Sequence, residues 1–157
     1  MIKAIYAWLG RGANWALGPG FKLTTRNLTR VRALIISEND EILLVRSWLG
    51  YQKWSLPGGG LKPSEPPATA ASREVFEEAG ILVPPSSFMP LGTFINDDSS
   101  APFVVNCQVA RIAKRAPRII FYRRHEIIGA SWFPLSALPE RRSGNVDAAL
   151  RLIHSRA

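Results

Sequence analysis

Short apolar runs, separated by polar or glycine-containing turns, dominate the chain from residue 29 to residue 133. The runs at 29–37 and 41–48 are rich in β-branched residues and are joined by the polar sequence Glu38-Asn39-Asp40, so they predict a β-hairpin. Four later runs predict further strands, at 88–96, 102–113, 118–123 and 127–133. We therefore expect a sheet at the centre of the fold.

Two segments have the spacing of amphipathic helices. The first runs from about 66 to 79, with prolines in its first turn and Gly80 placed where a left-handed residue ends a helix. One face carries a stripe of small residues that lets the helix lie close against a sheet: Ala68, Ala71, Ser72, Val75 and Ala79. The second helix runs from about 145 to 155. Strands and helices together predict an α/β (α+β) fold with a mixed β-sheet between helices.

A chain of 157 residues is long enough for one domain with a sizeable core. We expect a single domain over 1–157, with 1–28 as an N-terminal extension and 141–157 carrying the C-terminal helix. Residues 2–17 loosely suit an amphipathic helix before the Gly18-Pro19-Gly20 break. This segment is expected to pack on the domain or on a second copy of the chain, which makes a homodimer a candidate assembly. A peripheral membrane contact is the alternative.

Composition excludes several classes of protein. No apolar run approaches the eighteen or so residues needed to span a bilayer, and Arg11 and Asn14 interrupt the apolar stretch at 4–9 before a signal-peptide core could form. The single cysteine, Cys107, excludes an internal disulfide framework. It lies in an apolar run and is expected to be a buried hydrophobe. A cytoplasmic protein without stable membrane insertion is the expectation.

Three carboxylates share one side of the first predicted helix. Glu74, Glu77 and Glu78 fall within about a third of its circumference, because residues three and four apart are neighbours on a helix surface. Like charges at these spacings repel, and a bound cation removes that penalty. Carboxylate oxygens suit Mg²⁺ or Mn²⁺, and Mg²⁺ commonly takes its remaining ligands from water and substrate phosphates. The pattern predicts a divalent-cation site and a phosphate-containing substrate.

A basic residue is placed to support these carboxylates. Arg73 lies four residues before Glu77 and can pair with it, and it can also reach back to Glu65 at the helix entrance. Such pairing would hold Glu77 ionised and oriented.

These residues also carry a family resemblance. Gly59, then Glu65, then the run from Arg73 to Ile81 resembles the complete signature of the Nudix hydrolases, at residues 59–81. The flanking segments 54–60 and 132–139 resemble the same family. The resemblance implies a Nudix-like α/β/α sandwich and hydrolysis of a diphosphate linkage in a nucleoside diphosphate derivative, with water attacking phosphorus and Mg²⁺ or Mn²⁺ as cofactor.

The resemblance also implies residue roles. The implied metal ligands are the side chains of Glu74, Glu77 and Glu78 and the carbonyl of Gly58. Arg73 and Glu65 resemble the orienting residues, and Glu77 is the first candidate for deprotonating the attacking water. Glu126 resembles the further acid that some members contribute from outside the signature, although it could equally balance the neighbouring basic residues. Asp97 and Asp98 compete with it, but their Asn-Asp-Asp-Ser-Ser setting favours a turn.

The net charge of +8 attracts polyanions. Arg123 and Arg124, with Tyr122 beside them, are candidates to bind substrate phosphates and to stack on a base. A generally basic surface is an equally good interpretation.

The favoured function is therefore a Mg²⁺-dependent diphosphohydrolase that acts on a nucleotide-type small molecule. One alternative is a nucleotide- or RNA-binding regulatory module on the same scaffold. Another is a pyrophosphohydrolase that acts on an RNA 5′ end. The leaving group is left open by the sequence.

Overall fold

The structure is a computed structural model, and it describes residues 29–48, 52–96, 102–117 and 127–156. The strands are β1 (Arg30–Ser37), β2 (Glu41–Ser47), β3 (Trp54–Ser55), β4 (Met89–Asn96), β5 (Phe103–Ile112) and β6 (Ile127–Pro134). The helices are α1 (Pro67–Ala79) and α2 (Gly144–His154), with one turn of 3₁₀ helix at Pro85–Ser87. Within these ranges no helix is long and apolar enough to cross a membrane.

The strands form one mixed six-stranded sheet in the order β3-β2-β1-β5-β4, with β6 also paired to β2. Strands β1 and β5 are parallel, and the other pairs are antiparallel. The predicted hairpin is confirmed, with Asp40 at φ 52° in its turn. Strand β2 pairs with β1 only at Ile36 and Ile42, whereas it pairs with β6 along its whole length. The N-terminal half of β1 is therefore left open for another partner on that edge.

Alternating residues of β1 face two different cores, as expected for a buried strand. Val31, Ala33 and Ile35 belong to the cluster that also contains Val75 and Ala79 of α1. Leu34 and Ile36 belong to the cluster that contains Val146 and Ala149 of α2. The sheet is thus covered by α1 on one face and α2 on the other, which confirms the predicted arrangement of a mixed sheet between helices.

The ends and the buried face of α1 follow from its sequence. Pro66 and Pro67 occupy the entrance, where a missing N–H costs nothing, and Gly80 ends the helix at φ 67° with its N–H donated to Phe76 O over 2.9 Å. Ala70, Ala71, Val75 and Ala79 are buried, so small side chains bring the helix axis close to the sheet. The predicted helix is confirmed to within one residue.

The predicted strands and the second helix agree with the structure to within one or two residues. Two elements were not predicted, namely β3 and the 3₁₀ turn. The N-terminal segment 2–17 and the predicted strand at 118–123 lie outside the described residues.

Candidate active site

The glycine turn before α1 is held against β1 as if it were a further strand. Val31 donates its N–H to Gly59 O over 2.9 Å, and Ala33 donates its N–H to Pro57 O over 2.9 Å. Gly60 bridges antiparallel to Arg30 in the same stretch. Residues 57–60, called the glycine loop below, therefore fill the edge of β1 that β2 leaves open.

The buried residue Asn145, at the start of α2, fixes the approach to this loop. Its Oδ1 accepts the N–H of Leu56 over 3.3 Å, and its Nδ2 donates to Ser55 Oγ over 3.1 Å. Trp54 in β3 is bonded to the chain just before α2, since its carbonyl accepts the N–H of Ser143 over 2.7 Å. These bonds tie the glycine loop to the C-terminal helix as well as to β1.

Two of the three loop glycines lie where a Cβ would make a close contact, with backbone at Gly58 and with a side chain at Gly59. Gly58 lies at φ 147°, and a Cβ there would stand 2.2 Å from Val31 O. A Cβ on Gly59 would stand 2.6 Å from Glu74 Oε1. A Cβ on Gly60 would meet nothing within 4 Å. The loop therefore lies directly against both β1 and the Glu74 carboxylate, while the space at Gly60 is open.

Two carboxylates of α1 are buried under the loop. Glu74 is 4% exposed and Glu78 is 9% exposed. Glu78 Oε2 accepts the N–H of Gly58 over 2.9 Å. Because a buried charge is costly unless it is paired or hydrogen-bonded, two ionised glutamates here need compensating groups. The loop N–H supplies one such group to Glu78.

Arg73 supplies such a group to Glu74. Its Nε and Nη2 donate to the two oxygens of Glu65 over 2.8 and 2.9 Å, which is a bidentate pair. Its Nη1 donates to Glu74 Oε1 over 2.6 Å and lies 3.6 Å from Glu77 Oε2. Nη2 also reaches Gly60 O over 3.2 Å. The predicted pairings of Arg73 with Glu65 and Glu77 are confirmed, and the bond to Glu74 is an addition.

The electrostatics of the pair follow from these bonds. The hydrogen bonds from the Arg73 guanidinium lower the pKa of Glu65 to about 2, and the N–H of Lys62, 2.9 Å away, lowers it further against the opposing effect of burial. The same bonds raise the pKa of Arg73 above its usual value. Both groups are therefore firmly charged at neutral pH, and the guanidinium is held in one orientation between Glu65 and the α1 carboxylates.

Two arginines of β1 belong to this site and were not predicted. Arg32 Nη1 donates to Gly58 O, and it lies 3.5 Å from Leu56 O. Arg30, two residues earlier, lies with its guanidinium carbon 4.5 Å from the centre of the Phe103 ring. The available signal in the sequence was a pair of basic residues on one face of an otherwise apolar strand.

The donor set is chemically suited to a hard divalent cation. Three carboxylates from α1 and the Gly58 carbonyl from the loop all offer oxygen atoms, the type of ligand that such a cation prefers, and Glu78 joins helix to loop through the Gly58 N–H. Across residues 29–48, 52–96, 102–117 and 127–156, however, no three Asp, Glu, His or Cys side chains are arranged to hold an ion. Glu74 is instead bonded to Arg73. Glu74 and Glu78 are thus bonded to groups of the protein itself in this structure.

Several predicted site residues lie outside the described part of the chain, and their roles stay predictions. They are Asp97, Asp98, Tyr122, Arg123, Arg124 and Glu126. Cys107 is buried as predicted, and burial raises the pKa of its thiol to about 12. That shift removes the thiolate needed for a nucleophile at neutral pH.

Comparison with known proteins gives consistent matches. The NUDIX domain family model matches residues 26–152, which is well over half of the chain. Diphosphoinositol polyphosphate phosphohydrolase 3-beta of Bos taurus is 57% identical over 42 residues, covering 27% of this chain and 26% of that protein. Diphosphoinositol polyphosphate phosphohydrolase 2 of Homo sapiens is 52% identical over 44 residues, covering 28% and 24%. The chain thus spans about a quarter of the length of these curated relatives.

Solved structures show the same fold over most of the chain. A MutT NUDIX hydrolase from Burkholderia pseudomallei has a TM-score of 0.70 and 24% identity, and the match covers 81% of this chain and 98% of that one. A bifunctional NMN adenylyltransferase/ADP ribose pyrophosphatase from Francisella tularensis, complexed with AMP and a Mn ion, has a TM-score of 0.73 and 20% identity over 95% and 48% of the two chains. At these identities the likeness establishes the fold.

Proposed function

The chain belongs to the Nudix hydrolase family, and we propose that it hydrolyses a diphosphate linkage in a nucleoside diphosphate derivative, with water attacking phosphorus and Mg²⁺ or Mn²⁺ required. The observation that carries this proposal is the glycine loop pinned between β1 and the carboxylates of α1. This arrangement brings three glutamates and a backbone carbonyl onto two segments that touch each other. An acidic helix face exposed to solvent would need no such loop.

Each of these residues has a distinct task in the proposed reaction. Glu74, Glu77, Glu78 and the Gly58 carbonyl would hold the cation, which neutralises phosphate charge and lowers the pKa of bound water. Arg73, fixed by Glu65, orients the carboxylates and keeps their charge balanced. The three carboxylates differ in burial, and this difference separates their roles.

Glu77 is our candidate for the base that accepts the proton of the attacking water. Its side chain is 21% exposed, whereas Glu74 and Glu78 are almost completely buried. Its Oε2 lies 3.6 Å from Arg73 Nη1, beyond hydrogen-bond distance, while Glu74 holds that nitrogen at 2.6 Å. Glu77 therefore has greater access to solvent and a looser link to the guanidinium, which suits a group that must take up a proton.

The test is a substrate panel assayed with Mg²⁺, with Mn²⁺ and with chelator. We expect turnover of at least one diphosphate compound, its loss on chelation, and a fall in kcat of about 10²- to 10⁴-fold in Glu77→Gln. The matched control is Glu140→Gln, because Glu140 is an exposed glutamate outside the site. Unchanged kcat in Glu77→Gln would reject the assigned base. Nucleotide binding without turnover across the panel would favour the regulatory module instead.

A diphosphoinositol polyphosphate is the second candidate substrate. The specific observation is the 57% identity over 42 residues to a protein named for hydrolysing such compounds. The net charge of +8 also favours a densely anionic substrate. The panel therefore includes a diphosphoinositol polyphosphate and ADP-ribose as well as nucleotides.

The panel also includes triphosphorylated RNA, whose turnover should fall steeply with salt if an RNA end is the partner. Gel filtration of the full chain tests whether it forms the candidate homodimer.

A further inference from the structure

Asn145 holds the residue just before the glycine loop, and it does so from the face of the sheet opposite α1. It is 2% exposed and lies in the first turn of α2. Its Oδ1 accepts the buried N–H of Leu56. Its Nδ2 donates to Ser55 Oγ, and that hydroxyl donates to Leu56 O over 3.1 Å. One side-chain amide thus holds the Leu56 N–H directly and the Leu56 carbonyl through Ser55.

The bond to Leu56 bears on the position of Gly58. Pro57 has no N–H, so Leu56 and Gly58 carry the backbone donors on either side of it. The Leu56 N–H is held by Asn145 of α2. The Gly58 N–H is held by Glu78 of α1. Each helix therefore fixes one end of this short segment, and a shift of Leu56 moves the Gly58 carbonyl relative to the carboxylates of α1.

Packing of α2 on the sheet does not by itself call for an asparagine. Val146 and Ala149 are completely buried and belong to the same apolar cluster as Leu56, so they hold the helix on the sheet through apolar contacts. Burying an amide is costly unless its polar atoms are hydrogen-bonded, and the bonds of Asn145 are made to Ser55 and Leu56. The polar side chain therefore serves the approach to the glycine loop.

We propose that Asn145 is a positioning residue of the active site, which sets the place of the Gly58 carbonyl by holding Leu56. Its effect on turnover rests on the proposed function, whereas its hold on the glycine loop does not. In this arrangement the C-terminal helix acts on the reaction from the far face of the sheet, through backbone groups of the loop and not through a contact with substrate.

Amide hydrogen exchange of the metal-free full chain tests the hold on the loop without any turnover. The amides to follow are those of Leu56, and of Val31 and Ala33, which donate to the loop carbonyls. We expect Asn145→Leu to speed their exchange by about tenfold or more relative to amides of β5, because the loop opens more readily. Asn145→Asp should stay within about threefold of wild type, since it keeps an acceptor for the Leu56 N–H.

A measurement on the wild-type protein and a milder variant guard against misfolding of Asn145→Leu. A Leu56 amide that exchanges as fast as a solvated one in wild-type protein would overturn the proposal without any substitution. If Asn145→Leu does not fold, Ser55→Ala replaces it, because loss of the hydroxyl frees the Leu56 carbonyl. The Leu56, Val31 and Ala33 amides should then exchange about threefold faster relative to β5. Unchanged exchange would reject the proposal.

The matched control is Leu152→Ala, a change in the same helix that removes packing away from the loop. Leu152 packs on the apolar cluster beside Gly92, roughly 10 Å further along α2 than Asn145. It should lower overall stability but leave the ratio between loop and β5 exchange rates within about twofold of wild type. Equal selective acceleration in Leu152→Ala and Asn145→Leu would mean that Asn145 only stabilises the helix, and would overturn the proposal.

Kinetics, measured well below the Tm of each variant, separate this proposal from the proposed reaction. We expect Asn145→Leu to lower kcat by about 10- to 100-fold with KM within about threefold of wild type, as for residues that support a metal site. Asn145→Asp should recover most of the loss, and Leu152→Ala should stay within about twofold of wild type.

The outcomes are distinguishable. A loop loosened selectively in Asn145→Leu, with no turnover by wild-type protein on the substrate panel, would reject the proposed reaction and retain the hold on the loop. Turnover with unchanged kcat in Asn145→Leu would retain the reaction and reject the positioning role. A rise in KM alone would indicate a contact with substrate, and would also reject that role.

Discussion

Replacing the loop glycines one at a time tests how the glycine loop is held. Gly58→Ala places a methyl group 2.2 Å from Val31 O, at a φ of 147° that side chains rarely adopt. The backbone conformation costs a non-glycine residue on the order of 1–3 kcal/mol. Moving the loop away from the Val31 carbonyl adds about 1–3 kcal/mol, the usual cost of overpacking. Together these give a loss of about 2–6 kcal/mol in the free energy of unfolding.

Gly60→Ala is the matched control two residues away. Its methyl group would meet nothing within 4 Å, so the expected change is within about 0.5 kcal/mol of zero. Gly59→Ala is a different case, because the obstruction 2.6 Å away is a side-chain oxygen of Glu74. That carboxylate is buried and bonded to Arg73, so we expect an intermediate loss of stability together with displacement of Glu74.

Urea unfolding followed by tryptophan fluorescence measures these differences, with thermal unfolding as a second readout. For a chain of 157 residues, each kcal/mol lowers Tm by about 2–4 °C. Gly58→Ala should therefore melt at least about 4 °C below wild type. Gly60→Ala should melt at nearly the same temperature as wild type. Equal free energies of unfolding for Gly58→Ala and Gly60→Ala would refute the close contact between the loop and β1.

Two further predictions concern titration and thiol reactivity. The pKa of Glu65 is about 2 in the folded chain, below its unfolded value, so the stability it contributes is complete above an unfolded pKa of about 4.3 and is lost as pH falls toward 2. Glu65→Gln should reduce the pH dependence of Tm between about pH 4.5 and 2. The same pH dependence of Tm in Glu65→Gln and in wild type over this range would contradict the pairing with Arg73. The buried Cys107 thiol, with a pKa of about 12, should react with a thiol reagent at pH 8 only at the rate of unfolding. Rapid labelling of native protein would show that the thiol is accessible.

The sequence predicted the features that depend on near neighbours. The limits of α1, its cap at Gly80, and the pairing of Arg73 with Glu65 follow from spacing within one helix and its entrance. The bond from Arg73 to Glu74 did not follow, because neighbours on a helix surface are three and four residues apart, and adjacent residues do not face each other. Local patterns thus predicted the limits and the capping of the acidic helix but missed the bond between Arg73 and Glu74.

Features that depend on distant partners were missed. Strand β3 has two residues and is defined by pairing with Val45 and Arg46, so its own sequence carries almost no strand signal. Arg32 gains its role from the Gly58 carbonyl, 26 residues later in the chain. The difference between Gly58 and Gly60 likewise comes from where β1 lies. These contacts arise only when the loop packs on the sheet.

The pairing of the glycine loop with β1 gives this segment an unusual sensitivity to length. Most surface connections tolerate an added residue, because their backbone groups are solvated. Here the Gly59 and Pro57 carbonyls are matched to the N–H groups of Val31 and Ala33. Adding one residue between 57 and 59 would slip that match by one position and turn the Gly58 N–H away from Glu78. The segment that brings helix and sheet together can therefore vary in side chains at Gly60, but not in the number of residues.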